Sequence, residues 1–294
     1  MQVLPLRVVE RDDRTGATLH RPARDKRGAA HVHRERVSKL SRPVLYVFAI
    51  SHYCEKARWA LDYLGVEYEL QHLPPGAHLE IVKGLGAPGS SLPLLVAEDS
   101  VVQGSGDILD WAESSTADAS SRLNPDSEFE NECRLLEQRI DDVVGVHVRR
   151  YYYSEALVES PDSVRAIFSS DLPDVQRQSL EENWSIVCQL MIGAMDLGPE
   201  QGQESRRIVE GELAWLDGLL SDGRRYLSGG RFSRADITAA SLLAPLALPE
   251  EHPHYGMLEV PPRARVDLQQ WAERPTPTWV RKIYREHRLR PKTD

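Results

Sequence analysis

Pro43-Val-Leu-Tyr-Val-Phe-Ala-Ile-Ser51-His-Tyr-Cys54-Glu-Lys-Ala-Arg58 is the stretch that decides the fold. Val44–Ala49 has the apolar, aromatic and β-branched make-up of a short strand. Ser51 stands where a helix N-cap belongs, and Ala57, Ala60, Leu61 and Leu64 fall on one face of a helix over Tyr53–Leu64 that Gly65 ends. Outward from this pair, Glu67–Leu73 alternates as a strand and Pro74-Pro-Gly76 breaks the chain. His78–Leu85 is a short helix, Leu92–Val96 and Ser100–Gln103 are short strands, and Asp107–Glu113 is helical. The order is β-α-β-α-β-β-α over residues 43–116. Residues 117–126 have the small and polar composition of a linker. From there to residue 290 almost everything has helical spacing, beginning with a Ser127-x-x-Glu130 capping box that opens a long helix to about Tyr153. Leu180–Leu197, Glu204–Leu220, Ser233–Leu248, Val266–Ala272 and Thr278–His287 are the further helices expected.

The chain of 294 residues has 41% hydrophobic and 28% charged residues, as an ordinary globular protein does. Residues 1–42 hold 11 Lys+Arg against 5 Asp+Glu, a net of +6, without sustained periodicity, and are expected to be a disordered or extended basic extension. The remainder holds 25 against 40, a net of −15. An acidic body does not offer the clustered cations that phosphate contacts need, so no nucleic-acid partner is expected. No apolar run approaches the ~20 residues that span a bilayer, and no apolar leader opens the chain, so neither membrane insertion nor secretion is expected. Cys54, Cys133 and Cys188 are too few and scattered for a disulfide framework or zinc cluster, which suits a reducing cytoplasmic setting. Ten histidines show no ligand spacing, and no metal is expected.

Three motifs carry chemistry. Ser51-x-x-Cys54 sits at the head of the first helix, where unpaired amides and the positive end of the dipole stabilise a thiolate, the protein's own or a bound one. A hydroxyl at the first position cannot form a mixed disulfide but can donate to a bound sulfur. The plain reading stays open: Ser51 as an N-cap, Cys54 as a small buried hydrophobe. Second, Pro93 opens a strand in Leu92-Pro-Leu-Leu-Val96, which points to a cis bond whose neighbouring backbone groups pair with an extended peptide. Third, Gln103-Gly104-Ser105-Gly-Asp107 runs from a strand into a helix whose first amides, with the Ser105 hydroxyl, suit a carboxylate.

In order and spacing, these three motifs resemble the N-terminal domain of glutathione transferases. Phe232-Ser233-Arg-Ala-Asp236-Ile237 resembles the capping box in the core helix of that family's C-terminal domain, and Arg274-Pro-Thr-Pro-Thr-Trp279 its last turn. The resemblance implies an α/β thioredoxin-like N-terminal domain followed by an all-α domain, glutathione as co-substrate, and a homodimer. It implies that Ser51 activates the glutathione sulfur, with Tyr53 beside it. The Leu92–Pro93 backbone pairs with the cysteinyl part, and Gln103, Gly104 and Ser105 hold the γ-glutamyl end. His52, Ser91 and Gly104 depart from the family's usual proline, lysine and acidic or Gln residue at those positions.

On the long helix after the linker, Arg150, Tyr151 and Tyr153 are candidates to line a cleft for a small electrophile, or alternatively a packed Tyr cluster. The functional expectation is glutathione transfer, of the detoxifying kind. Two alternatives stand beside it: a Cys54-dependent thiol–disulfide oxidoreductase or reductive dehalogenase, and a non-catalytic binding protein of the same fold.

Overall fold

The apolar run after Pro43 forms β1 (Val44–Val47), and the chain turns at Phe48–Ser51 into α1 (His52–Tyr63) in this computed structural model, which describes residues 42–116, 122–125 and 127–288. The extension expected over residues 1–42 lies, apart from Arg42, outside those residues, as does most of the expected linker. β2 (Glu69–His72) lies parallel to β1, joined through α1. α2 (His78–Gly84) leads to β3 (Leu94–Ala97), which pairs antiparallel with β1 and with β4 (Ser100–Gln103). The sheet order is β2-β1-β3-β4, and α3 (Ser105–Ser115) completes the thioredoxin-like order expected from sequence. The Leu92–Pro93 peptide is cis.

The rest is helical: α4 (Ser127–Arg139), α5 (Val146–Glu159), α6 (Pro161–Ser169), α7 (Asp174–Met195), α8 (Pro199–Leu220), α9 (Arg234–Ala247), α10 (Pro262–Trp271) and α11 (Pro275–His287). Every residue of α9 is buried, its mostly apolar surface and the hydrogen-bonded Arg234 and Asp236 of its first turn packed at the centre of the helices. Its entry follows the expected cap: the Asp236 carboxylate accepts from the Ser233 and Leu227 amides, each at 2.8 Å. Among the described residues, no helix is long and apolar enough to cross a membrane.

Two expectations need correction. The single helix expected to run to about Tyr153 is broken by a π-helical turn at Ile140–Gly145. The cause is tertiary: Tyr53 Oη donates to the Asp141 carbonyl at 2.7 Å and Lys56 Nζ reaches Asp141 Oδ2 at 2.6 Å. Gly145 makes room for this contact, since a Cβ there would stand 2.5 Å from Tyr53 Oη and 2.8 Å from Leu242. Second, the stretch before residue 180 holds α6 and the first turn and a half of α7, which the sequence reading passed over. α6 is only nine residues long, and its apolar face of Val164, Ile167 and Phe168 acquires its partners from α5 and α7.

The C-terminal helix is pinned to α1 by charge. Arg288 Nε meets Glu55 Oε1 at 2.7 Å and Nη1 meets Asp62 Oδ2 at 2.6 Å, with both Glu55 and Arg288 buried. Burial by itself would raise the Glu55 carboxyl, but Arg288 and other nearby cations outweigh it and hold the carboxyl down at about 2. A folded-state value below the unfolded one gives stability that is present above about pH 4.5 and lost as pH falls toward 2. Acid titration of the folded chain should therefore lose roughly 3 kcal/mol from this pair over that window. Glu55→Gln should flatten that part of the urea-midpoint profile; an unchanged profile would show that the pair does not carry the acid sensitivity.

Candidate functional site

The head of α1 opens into a cleft of about 350 Å³ between the sheet domain and the helices. Ser51 is half-buried at its edge with extended backbone, and its Oγ accepts from the Cys54 amide at 3.3 Å. That leaves the one hydroxyl proton of Ser51 available to a ligand. Phe48, the Pro75–Leu79 turn and Ser90–Leu92 form the sheet-side wall. Arg149 and Tyr153 come from α5 on the far side, and Phe168, Val187, Leu190, Met191 and Met195 from α6 and α7. The result is a polar corner at the helix head facing an apolar wall.

The two candidate reactive groups are separated by burial. Cys54 is 1% exposed, does not line the cleft, and accepts at Sγ from the Phe48 amide at 3.5 Å. Burial pushes its thiol up to about 11, against the smaller lowering by the Ser51 and Phe48 hydrogen bonds, so it stays protonated at neutral pH. Cys133 and Cys188 are buried too. Disulfide reagents such as Ellman's should leave all three thiols of the native chain unmodified while titrating three in the unfolded chain. Prompt modification of Cys54 in the native state would return it to contention.

His52, which stands where the family resemblance implies a proline, is buried at the cleft edge. Burial first, and then the Arg149 charge, depress its imidazole to about 3, so it is neutral at pH 7. The Arg149 guanidinium stands 5.9 Å over the Tyr53 ring and gives the cleft its positive charge. Tyr53 lines the cleft with its ring while its hydroxyl is held by Asp141. Burial raises the Tyr153 phenol, which stays protonated.

Of the three expected cleft residues on α5, only Tyr153 reaches the cleft. Arg150 turns to Asp196 and Glu204 on α8's side, and the Tyr151 hydroxyl donates to Asp267 at 2.8 Å. At about 100° per residue, positions 149 and 153 share a helix face that 150 and 151 leave. Taking the i−4 partner of Tyr153 would have found Arg149. The apolar wall from α7 had no comparable sequence signal, because those side chains read as ordinary helix core.

Leu92 lines the cleft; Pro93, Gln103, Gly104 and Ser105 do not. Gln103 braces the wall from behind, accepting from the Gly89 amide and donating to the Ser91 carbonyl, both at 2.7 Å. Gly104, at φ 103°, takes a conformation that L side chains rarely adopt, and its amide donates to the Pro93 carbonyl at 3.1 Å. Ser105 is buried in the first turn of α3.

Residues 45–120 match the family described as glutathione S-transferase, N-terminal domain. No curated protein matches the chain. Solved structures share its fold. Glutathione transferase GSTFuA3 from Phanerochaete chrysosporium is 18% identical with a TM-score of 0.58, over 86% of this chain and 98% of that one. The beta-etherase LigF from Sphingobium sp. strain SYK-6 is 20% identical with a TM-score of 0.53, over 82% and 98%. A glutathione S-transferase from Sinorhizobium meliloti 1021 is 20% identical with a TM-score of 0.52, over 83% and 88%.

Proposed function

We propose, from the membership of residues 45–120 in the glutathione S-transferase N-terminal domain family, that this chain binds glutathione at the head of α1 and transfers it to a small electrophile. The observation that carries the proposal is the Ser51 hydroxyl, which faces the cleft with its oxygen already accepting a backbone N–H and its proton unassigned. That proton is donated to the glutathione sulfur. The amides and dipole of α1 and the Arg149 charge favour the thiolate over the thiol. The thiol proton leaves to solvent. A sulfur electron pair forms the new bond to carbon, and the leaving group departs with the electron pair of the bond it gives up.

The apolar wall from α6 and α7 selects an electrophile with an apolar body. The Leu92 backbone takes the cysteinyl part and the first turn of α3 the γ-glutamyl carboxylate, as the family resemblance implies. The reading places no covalent step on the protein, in keeping with the burial and raised thiol of Cys54. A homodimer, as in the family, is part of the proposal, and light scattering tests it.

The deciding experiment is calorimetric titration with glutathione, read together with the thiolate absorbance of the bound thiol and turnover on halogenated and epoxide electrophiles. Binding with a depressed thiol pKa supports the assignment. Binding without any depression would favour a non-catalytic role, and no binding at all would remove the proposal.

A further inference from the structure

Three side chains from distant parts of the sequence meet beside the helices that wall the cleft. His72 ends β2, Asp171 lies in the turn between α6 and α7, and His254 precedes the short 3-10 turn Tyr255–Met257. Their ligand-capable atoms all lie within 4.8 Å of one another. His254 Nε2 stands 2.7 Å from Asp171 Oδ2, and His72 Nε2 stands 3.8 Å from the same oxygen. His72 Nε2 is buried without a hydrogen-bond partner. A buried imidazole nitrogen left in that condition asks for an occupant.

We infer that His72, Asp171 and His254 bind one divalent transition-metal ion, with zinc the best match. Nitrogen and oxygen ligands at about 2.0–2.2 Å on a tetrahedral ion stand about 3.3 Å apart. The observed 2.7 and 3.8 Å bracket that spacing, so small side-chain rotations complete the site. Two imidazoles to one carboxylate select zinc-like ions over calcium or magnesium, which take oxygen ligands. The partly exposed Asp171 leaves a side open for a water as fourth ligand. Around the site, the Ser170 hydroxyl donates to Asp171 Oδ2 at 3.0 Å, while His254 Nδ1 is buried without a hydrogen-bond partner, so the outer shell of that imidazole is open. The Arg58 charge acts on both ligand histidines and opposes a cation, while the Asp171 and Glu55 carboxylates act on His254 in the opposite direction. The ion's role is structural. It ties the sheet, through β2, to the turn between the two helices that carry Phe168, Val187 and Met191 to the cleft.

The full chain, stripped with a chelator and kept free of added thiols, is titrated with zinc by calorimetry and with cobalt by visible absorption. The expected result is one zinc per chain, ligand-field bands with cobalt, and a Tm that rises with zinc. His72→Ala and Asp171→Ala, both at partly exposed positions, should each weaken zinc by more than about 10-fold. His147→Gln, an imidazole hydrogen-bonded to Ser205 elsewhere, should leave zinc affinity unchanged. Circular dichroism and the metal-free Tm verify that the variants fold. No zinc binding, or binding equally tight in His72→Ala and Asp171→Ala, would overturn the inference. Glutathione binding is measured separately, so the two assignments stand or fall independently.

Discussion

Ser51→Ala is expected to lower kcat/KM for glutathione conjugation at neutral pH by about 10–100-fold, because a hydrogen bond to a charged group contributes about 1.5–3 kcal/mol and its loss leaves correspondingly less thiolate. The bound-thiol pKa, read from thiolate absorbance, should rise toward that of free glutathione, because the sulfur keeps the helix dipole and Arg149 but loses its direct donor. Stability should fall by only about 1 kcal/mol, since the lost side chain also caps α1 through the Cys54 amide. Ser51→Thr keeps both the cap and the donor and should retain a large part of the rate. Cys54→Ala supplies the contrast: it removes a buried sulfur that touches the Phe48 amide and not the cleft, so turnover should stay within a few-fold. Loss of activity in Cys54→Ala with retention in Ser51→Ala would move the chemistry three residues into the helix and end the transferase reading.

The largest effect on stability is expected at Lys56→Met. Lys56 is fully buried in α1, and its ammonium bridges Glu137 at 2.9 Å and Asp141 at 2.6 Å. Arg234, also buried, holds Glu137 from the other side and reaches Asp110 at 2.5 Å. Burial raises both acidic groups. At Glu137 Lys56 and Arg234 outweigh it and keep the carboxyl below its ordinary range; at Asp141 Lys56 does not, and the carboxyl stands above its ordinary range. Methionine fills the space of the lysine stem but leaves Asp141 without its cation and Glu137 with Arg234 and the more distant Arg134 at 4.0 Å. Removing one partner from a buried network costs about 3–5 kcal/mol, because the remaining charge stays out of water. Urea unfolding should show that loss as a shifted midpoint with an unchanged slope. A loss below about 1 kcal/mol would mean that the network contributes little to holding the domains together. Since Asp141 also receives Tyr53 and anchors the π-helical turn before Arg149, the variant should raise KM for glutathione as well.

The element order was legible because each part had a local cause. Val44–Val47 reads as a strand from its own residues, Ser51 and Gly65 bound a helix by their capping chemistry, and Ser233 with Asp236 starts one. Ser100–Gln103 came out with its observed limits, since a turn on one side and Gly104 on the other leave no alternative. The site was less legible. Arg150 and Tyr151 were picked from adjacency in sequence, whereas a helix sorts residues by face, and on α5 Tyr153 and Arg149, not Arg150 or Tyr151, line the cleft. The π-helical turn at Ile140–Gly145 had no local signal either, since its cause is the reach of Tyr53 and Lys56 across the domain boundary.

By itself the sequence determined the elements of the sheet domain and their order, that helices follow, and that a hydroxyl and a thiol compete at one helix head. These are matters of period, capping and composition, which act over a few residues. Only the tertiary structure decided between the hydroxyl and the thiol as the group that faces the cleft. Ser51 and Cys54 differ by one helical turn, and desolvation, which depends on everything packed around them, leaves one half-buried at the cleft edge and the other sealed beneath Phe48 with its thiol pushed up to about 11. The same holds for His72, Asp171 and His254, which no spacing in the chain connects and which meet because β2, the α6–α7 turn and the loop after α9 pack together.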